Sequence, residues 1–140
     1  MKKMFLTIAL LLLPLVSFSA VAAQTPKQKV EKFLTGLQQG KVSESYDELF
    51  VGSNISKAKP QAVTTLKQQT ESGLPLYGKV LGYEVVYNEQ LSNSLARLVY
   101  ILKLERHPTI WEFYFYKPGD QWILINVKFN DKLDMLGAMK

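Results

Sequence analysis

Charged and phenolic side chains alternate with large apolar ones in two stretches of the second half of the chain. In residues 94–104, Arg97 shares a side with apolar residues, and Glu112 does the same in residues 109–116. If these sides line a cavity, both charges are buried and need partners. They could pair with each other at the mouth of a pocket, or Arg97 could receive an anionic ligand through two hydrogen bonds.

The same positions also have a purely structural interpretation. The side that carries Arg97 and Glu112 could be the solvated back of a sheet, where the two side chains form a cross-strand ion pair. The sequence leaves both interpretations open. Three tyrosines join the set, because a phenol hydroxyl can orient a partly apolar ligand. The candidate ligand-binding residues are therefore Arg97, Glu112, Tyr114, Tyr116 and Tyr83.

No constellation of residues predicts catalysis or metal binding. The single histidine, His107, stands beside a proline in a predicted turn, where a histidine is typically a surface residue. Tyr46 and Asp47 combine a phenol with an acid, but neighbours on a helix point about 100° apart and cannot address one substrate atom. We predict that Tyr46 lies in the core and Asp47 in solvent. We predict no catalytic residue, metal ligand or cofactor.

Apolar residues recur at helical spacing through the first half of the chain. Thr25 can cap the first helix, and Pro26 suits its first position. Val30, Phe33 and Leu37 then form an apolar stripe along that helix. The pattern predicts three helices, at residues 26–40, 42–50 and 60–73, with a polar break at 52–59.

From Tyr77 onwards the period changes to two, which is typical of strands. Strict alternation in the last strand places Ile125 on one side and Leu124 on the other. The Pro118-Gly119 pair predicts a tight turn before it. Four strands are predicted, at residues 79–87, 94–104, 109–116 and 121–130. Helices followed by hairpin-linked strands indicate an α+β fold with an antiparallel sheet.

The first residues have the order of a secretory signal peptide. Lys2 and Lys3 precede an apolar run over residues 4–16, and small residues follow. Cleavage before Ala23 or before Gln24 fits the small residues, and the alternative is an uncleaved membrane anchor. We predict a signal peptide at 1–23 and one domain at 24–140, in the periplasm or secreted, with no membrane association after cleavage.

Composition narrows the classes of partner. The chain has no cysteine, which excludes both a lipoprotein anchor and a disulfide framework. It carries 17 Lys and Arg against 12 Asp and Glu, and loss of Lys2 and Lys3 with the signal leaves a net charge of about +3. The basic residues are scattered rather than clustered in a stripe, so nucleic acid is not an expected partner.

Four stretches carry a resemblance to a known family. They are VEKFLTGLQQGK at 30–41, SYDELF at 45–50, WEFYFY at 111–116 and GDQWIL at 119–124. The mature chain resembles small exported NTF2-like domains of uncharacterised function, which have the cystatin-like fold. The resemblance implies an α+β cone in which three N-terminal helices pack on a curved antiparallel sheet of about four main strands.

The resemblance leaves function open, because the family includes enzymes, transport adaptors and binding domains. Its enzymes work inside the cone with carboxylates, tyrosines or histidines, and this chain offers no convincing set. We therefore predict non-enzymatic binding of a small, partly apolar ligand or of a protein partner. The alternatives are an isomerase- or dehydratase-like enzyme that uses the cone cavity, and an interaction module without a pocket. By analogy with the family, the chain could form a homodimer.

Overall fold

The computed structural model describes residues 22–137, so the predicted signal peptide lies outside them except for its last two positions. The first helix, α1, spans Pro26–Gln38. It begins with a reciprocal pair of hydrogen bonds: the Thr25 hydroxyl accepts from the backbone N–H of Gln28, and the Gln28 side-chain oxygen accepts from the backbone N–H of Thr25. This capping box satisfies two donors that the first turn leaves free. The predicted start of α1 is confirmed.

Within residues 22–137, four further α-helices and one 3₁₀ helix follow. The segment 52–59, predicted as a polar break, contains a single helical turn, Ile55–Ala58, that packs beside the helix Pro60–Gly73. The long helices otherwise match the predicted ones. The bounds are α2 Val42–Leu49, α3 Ile55–Ala58, α4 Pro60–Gly73, the 3₁₀ helix Leu74–Tyr77, and α5 Asp134–Gly137.

The four strands form one antiparallel sheet in the order β1-β2-β3-β4. The first strand, β1, spans Val80–Gln90, and Gln90 pairs with Ala96, so the predicted end of this strand at residue 87 was wrong. An edge strand tolerates polar side chains at its end, which is why the apolar alternation stopped before the strand did. The bounds are β1 Val80–Gln90, β2 Leu95–Leu104, β3 Thr109–Tyr116 and β4 Ile123–Asn130.

The core lies between α1, α2 and the inner face of the sheet. The Phe33 ring of α1 makes edge contacts with Trp111 and Phe113, at centroid distances of 5.5 and 5.8 Å. Leu98 and Tyr100 of β2 are fully buried in the same cluster. Large side chains therefore fill the centre of the inner face, and the architecture is α+β as predicted.

A bulge in β4 changes which residues face the core. Phe115 pairs with Leu124, whereas Tyr114 pairs with Asn126, so Ile125 is an extra residue in the ladder. Leu124 is fully buried while Ile125 is 45% exposed. Beyond the bulge, Val127 packs against the core just as Leu124 does. Strict alternation, which separates these two residues, therefore fails at the bulge, because one inserted residue reverses the sides of a strand.

Candidate functional site

The sheet separates the predicted site residues into two groups. Tyr83 lies on the inner face, where its ring contacts Tyr100 at a centroid distance of 6.0 Å. Arg97, Glu112 and Tyr114 lie on the outer face, on neighbouring strands that pair Arg97 with Tyr114. The structure thus brings the outer residues together and leaves Tyr83 on the opposite side of the sheet.

Glu112 is the centre of an ion-pair network on the outer face. Arg97 donates to Glu112 Oε2 from Nη2 at 2.8 Å and from Nε at 3.2 Å. Lys128 of β4 reaches the other carboxylate oxygen at 2.8 Å, and Glu89 of β1 lies 3.8 Å from Arg97. Only 4% of Glu112 is exposed. The network therefore joins all four strands across their outer face.

The protonation of this network follows from its contacts. Burial by itself would raise the pKa of Glu112, but the hydrogen bonds from Lys128 and Arg97 outweigh it and hold the pKa below its ordinary value. The hydrogen bond to Glu112 raises the pKa of Arg97. Arg97 is thus already engaged by a carboxylate, in the cross-strand arrangement that was the structural interpretation of the sequence. Ligand binding at these residues stays a prediction.

The two outer tyrosines differ in accessibility. Tyr116 stands opposite Leu95 and Ile123 near the end of β3 and is 41% exposed. Tyr114 is half-buried between Arg97 and Asn126 on the adjoining strands. Neither lines the two openings described below.

A groove opens between α3, α4 and β4, and is called the α4–β4 groove below. It encloses about 690 Å³. Its lining is mostly apolar and combines residues of the helices with the bulged part of β4. The apolar lining residues used below are Phe50, Ile55, Val63, Leu66, Leu124 and Val127.

The groove exists because α4 packs against α2, α3 and the 3₁₀ helix. Val63 and Leu66 lie on the side of α4 that faces the sheet, and Val63 is buried. The sequence predicts the helix at 60–73 but not the groove, since an apolar helical stripe looks the same whether or not a strand covers it. None of the predicted site residues lines this groove.

Polar groups stand along the rim of the α4–β4 groove. Lys59 joins α3 to α4: its backbone N–H donates to the Ile55 carbonyl at 2.8 Å, and its carbonyl accepts from the Val63 N–H at 3.2 Å. Its ammonium group forms no ion pair with any residue in 22–137. Asn54 and Asn126 also belong to the lining. Sequence analysis missed Lys59, which had no signal beyond its place before Pro60.

A second opening of about 540 Å³ lies beside the 3₁₀ helix. It is lined by charges of both signs, and two of these hold the chain in place. The Glu105 carboxylate accepts from the Lys79 N–H at 2.9 Å, and Arg106 donates to the Leu76 carbonyl at 2.9 Å. The Glu105 and Arg106 side chains therefore have structural roles.

Tyr46 and Asp47, the neighbouring phenol and acid, each have a structural partner. The Tyr46 hydroxyl is buried and bonded to Thr70 at 2.7 Å, and burial raises its pKa. This confirms Tyr46 as a core residue. Asp47 is exposed and pairs with Lys67 at 2.6 Å. No group of three or more His, Asp or Glu side chains within residues 22–137 could hold a metal ion.

At the far end of the sheet, Tyr77 donates to Asp131 at 2.6 Å. This hydrogen bond is the main cause of the raised pKa of Tyr77 and of the lowered pKa of Asp131. His107 lies 5.7 Å from the Tyr77 ring, and its Nδ1 lies 2.7 Å from the Pro108 carbonyl oxygen. An ionised carboxylate and a strongly held phenol make a clasp between segments rather than an acid–base pair.

Neither a protein-family model nor a curated protein sequence matches the chain. The fold does match a solved structure, that of a Campylobacter jejuni protein described as an NTF2-like transpeptidase. The match covers 74% of this chain and 99% of that chain, with a TM-score of 0.58 and 9% sequence identity. At this identity the likeness concerns the fold alone. The chain therefore has the NTF2-like fold that the resemblance implied.

Proposed function

We propose that the protein is an exported binding module that holds a small, partly apolar molecule in the α4–β4 groove. The observation that carries this proposal is the open, apolar space between α4 and β4. Its volume of about 690 Å³ lies within the range of roughly 300–1,000 Å³ that is usual for small-molecule sites. An apolar ligand there would remove Leu66 and Val127 from water, which is the usual driving force for such binding.

The groove favours binding over acid–base catalysis. Among its described lining residues there is no carboxylate, imidazole or phenol. An isomerase or dehydratase needs a group that takes or gives a proton within hydrogen-bond distance of the substrate. The lining supplies Lys59 and amides instead, and these can orient a ligand. The enzyme alternative would need a different part of the molecule.

The groove also favours a small molecule over an added peptide strand. A peptide would have to pair with the free edge of β4, but the bulge at Ile125 interrupts the regular spacing of that edge. Bulges and lysines are the features by which native edges avoid pairing, and Lys128 lies on the same strand. The same argument disfavours a homodimer through β4, while a dimer through the outer face of the sheet remains part of the proposal.

Export belongs to the proposal as well. The order of charged, apolar and small residues at positions 1–23 supports a cleaved signal peptide and a periplasmic or secreted location. Within residues 22–137, no helix has the length and apolarity needed to span a bilayer. The transpeptidase description of the structural relative concerns that protein, and its fold alone is carried over here.

The test is binding of N-phenyl-1-naphthylamine, an uncharged apolar dye whose fluorescence rises when it leaves water. Mature protein, residues 24–140, should bind it saturably with one dye per chain. Ala62 is exposed and lines the groove, so Ala62→Phe should fill the space and weaken binding at least tenfold.

Gln68→Phe is the matched control, because Gln68 is exposed on α4 and lies outside the groove lining. It should bind the dye as the unmodified protein does. Absence of saturable binding, or equal loss in both variants, would contradict the proposal. Circular dichroism of the three proteins checks that the helices are retained.

A further inference from the structure

We propose that the ligand of the α4–β4 groove is a single-chain amphiphilic anion, whose carboxylate meets Lys59 and whose alkyl chain lies between α4 and β4. This inference rests on the proposed function and adds the chemical class of the ligand. It is carried by the distribution of charge around the groove and by the length of its apolar floor.

Lys59 is the one charged residue among the described residues that line the groove. Its ammonium has no carboxylate partner within residues 22–137. No acidic residue of that range stands in the lining to repel an anion. A carboxylate at the rim would gain an ion pair, whereas a cationic head group would meet only repulsion.

The position of Lys59 fixes the direction of the ligand. It stands at the start of α4, and Val63 and Leu66 follow it one and two turns along the same side of that helix. A head group at Lys59 therefore lies at one end of the groove, with apolar side chains leading away from it. Leu124 and Val127 of β4 line the opposite side of the groove, where they would contact the alkyl chain of the ligand.

The length of the apolar floor sets the length of the chain. The lining residues along α4 run from Lys59, which directly precedes the helix, to Gln69, which is about 15 Å at the helical rise per residue. An extended alkyl chain with bonds of about 1.5 Å advances about 1.3 Å per carbon. A chain of about ten to twelve carbons thus matches the groove.

The experiment compares three probes with the same ten-carbon chain and different head groups: decanoate, decan-1-ol and decyltrimethylammonium. Each displaces N-phenyl-1-naphthylamine from the mature protein at pH 8 and low salt, below its micelle concentration. Decanoate should bind about threefold to fivefold more tightly than decan-1-ol, as expected for an exposed ion pair. The cation should bind more weakly than the alcohol.

Lys59→Gln should reduce decanoate binding to the level of decan-1-ol and leave decan-1-ol binding unchanged. Lys59→Arg should keep the preference for the anion. Lys57→Gln is the matched control, because Lys57 lies two residues away and outside the groove lining. A general effect of positive charge would respond to both glutamine variants, whereas direct contact responds to Lys59 alone.

The outcomes separate this inference from the proposed function. If decan-1-ol and decanoate displace the dye with equal affinity, or if the cation is preferred, the inference of an anionic ligand is overturned. The groove then remains a binding site. Displacement by none of the three, together with no dye binding, overturns both. Added salt should weaken decanoate binding and leave decan-1-ol binding nearly unchanged.

Discussion

Glu112 is a charged residue that the fold has almost removed from water, and its partners determine whether this costs or contributes stability. Arg97 and Lys128 occupy its two oxygens separately. Arg97 is itself largely covered, with 16% of its side chain exposed. Loss of the carboxylate would leave this guanidinium poorly compensated, because buried charges depend on their partners far more than exposed ones do.

Glu112→Gln should destabilise the protein by about 1–3 kcal/mol at pH 7, since it removes a charge-assisted partner of two cations. Urea unfolding is the suitable measurement because guanidinium salt would screen the network. Glu84→Gln is the control: Glu84 pairs with Lys103 at 3.0 Å with both side chains well exposed, so its loss should cost less than about 1 kcal/mol. Equal costs would show that the burial of Glu112 has no energetic consequence.

The pH dependence of this difference has a defined sign. The pKa of Glu112 is lowered in the folded protein, so its stabilising contribution is present above the unfolded-state pKa of about 4.3. It is lost as the pH falls through the folded-state pKa. The gap in stability between the unmodified protein and Glu112→Gln should therefore shrink below about pH 4.3. A gap that stays constant down to pH 3 would contradict the assignment.

At the scale of the elements, the closest approach between two helices depends on a glycine. Gly36 of α1 faces Ser45 of α2, and a Cβ at position 36 would overlap the Ser45 hydroxyl. That hydroxyl donates to the Lys41 carbonyl, so it is already held by the turn between the helices. The contact sets how near α2 can lie to α1 above the sheet.

Gly36→Ala should destabilise the protein by about 1–3 kcal/mol, because overpacking outweighs the better helix propensity of alanine. Gly73→Ala makes the same exchange at the last residue of α4, in helical conformation and with open space around the new methyl group. It should be neutral or stabilising by up to about 1 kcal/mol. Thermal unfolding measures both, and stabilisation of both variants would contradict the close contact.

The elements also show what a sequence pattern can and cannot predict. Helical and strand periods are local properties, so they located the three long helices and the four strands. The bulge at Ile125 depends on how β4 pairs with β3. No residue type or spacing in residues 121–130 predicts it. The gap between α4 and β4 depends on which neighbours α4 packs against. The sequence pattern therefore could not predict the groove or the place of Lys59 beside it.

The candidate site residues illustrate the same limit. Alternation predicts that Glu112 and Tyr114 share one side of β3 and assigns Arg97 to one side of β2. The structure brings all three together on one face of the sheet. The alternation pattern does not predict whether that face lies inward or outward, since both faces of this sheet carry large apolar residues. The side on which α1 and α2 pack decides it, and that is a property of the whole chain.

At the scale of the whole molecule, the start of α1 bears on the proposed export of the chain. The capping box at Thr25 and Gln28 begins directly after the predicted signal peptide. Cleavage before Ala23 or Gln24 leaves this cap intact, because the Thr25 N–H and hydroxyl both remain. A mature chain would thus enter its first helix within two or three residues, and processing would leave the hydrogen bonds of this cap in place.

Expression of the full sequence in a bacterial host should therefore yield a periplasmic protein that begins at Ala23 or Gln24, as intact-mass spectrometry can determine. The double variant Ala22→Leu/Ala23→Leu enlarges the residue before both candidate cleavage points and should accumulate uncleaved in the membrane fraction, because the peptidase accepts small residues there. Leu15→Ile leaves both points unchanged and should be processed normally. A full-length mass for the unmodified protein would instead indicate a membrane anchor. Helix α1 would then directly follow the membrane-embedded segment. The α4–β4 groove would in that case bind only ligands that reach the membrane surface.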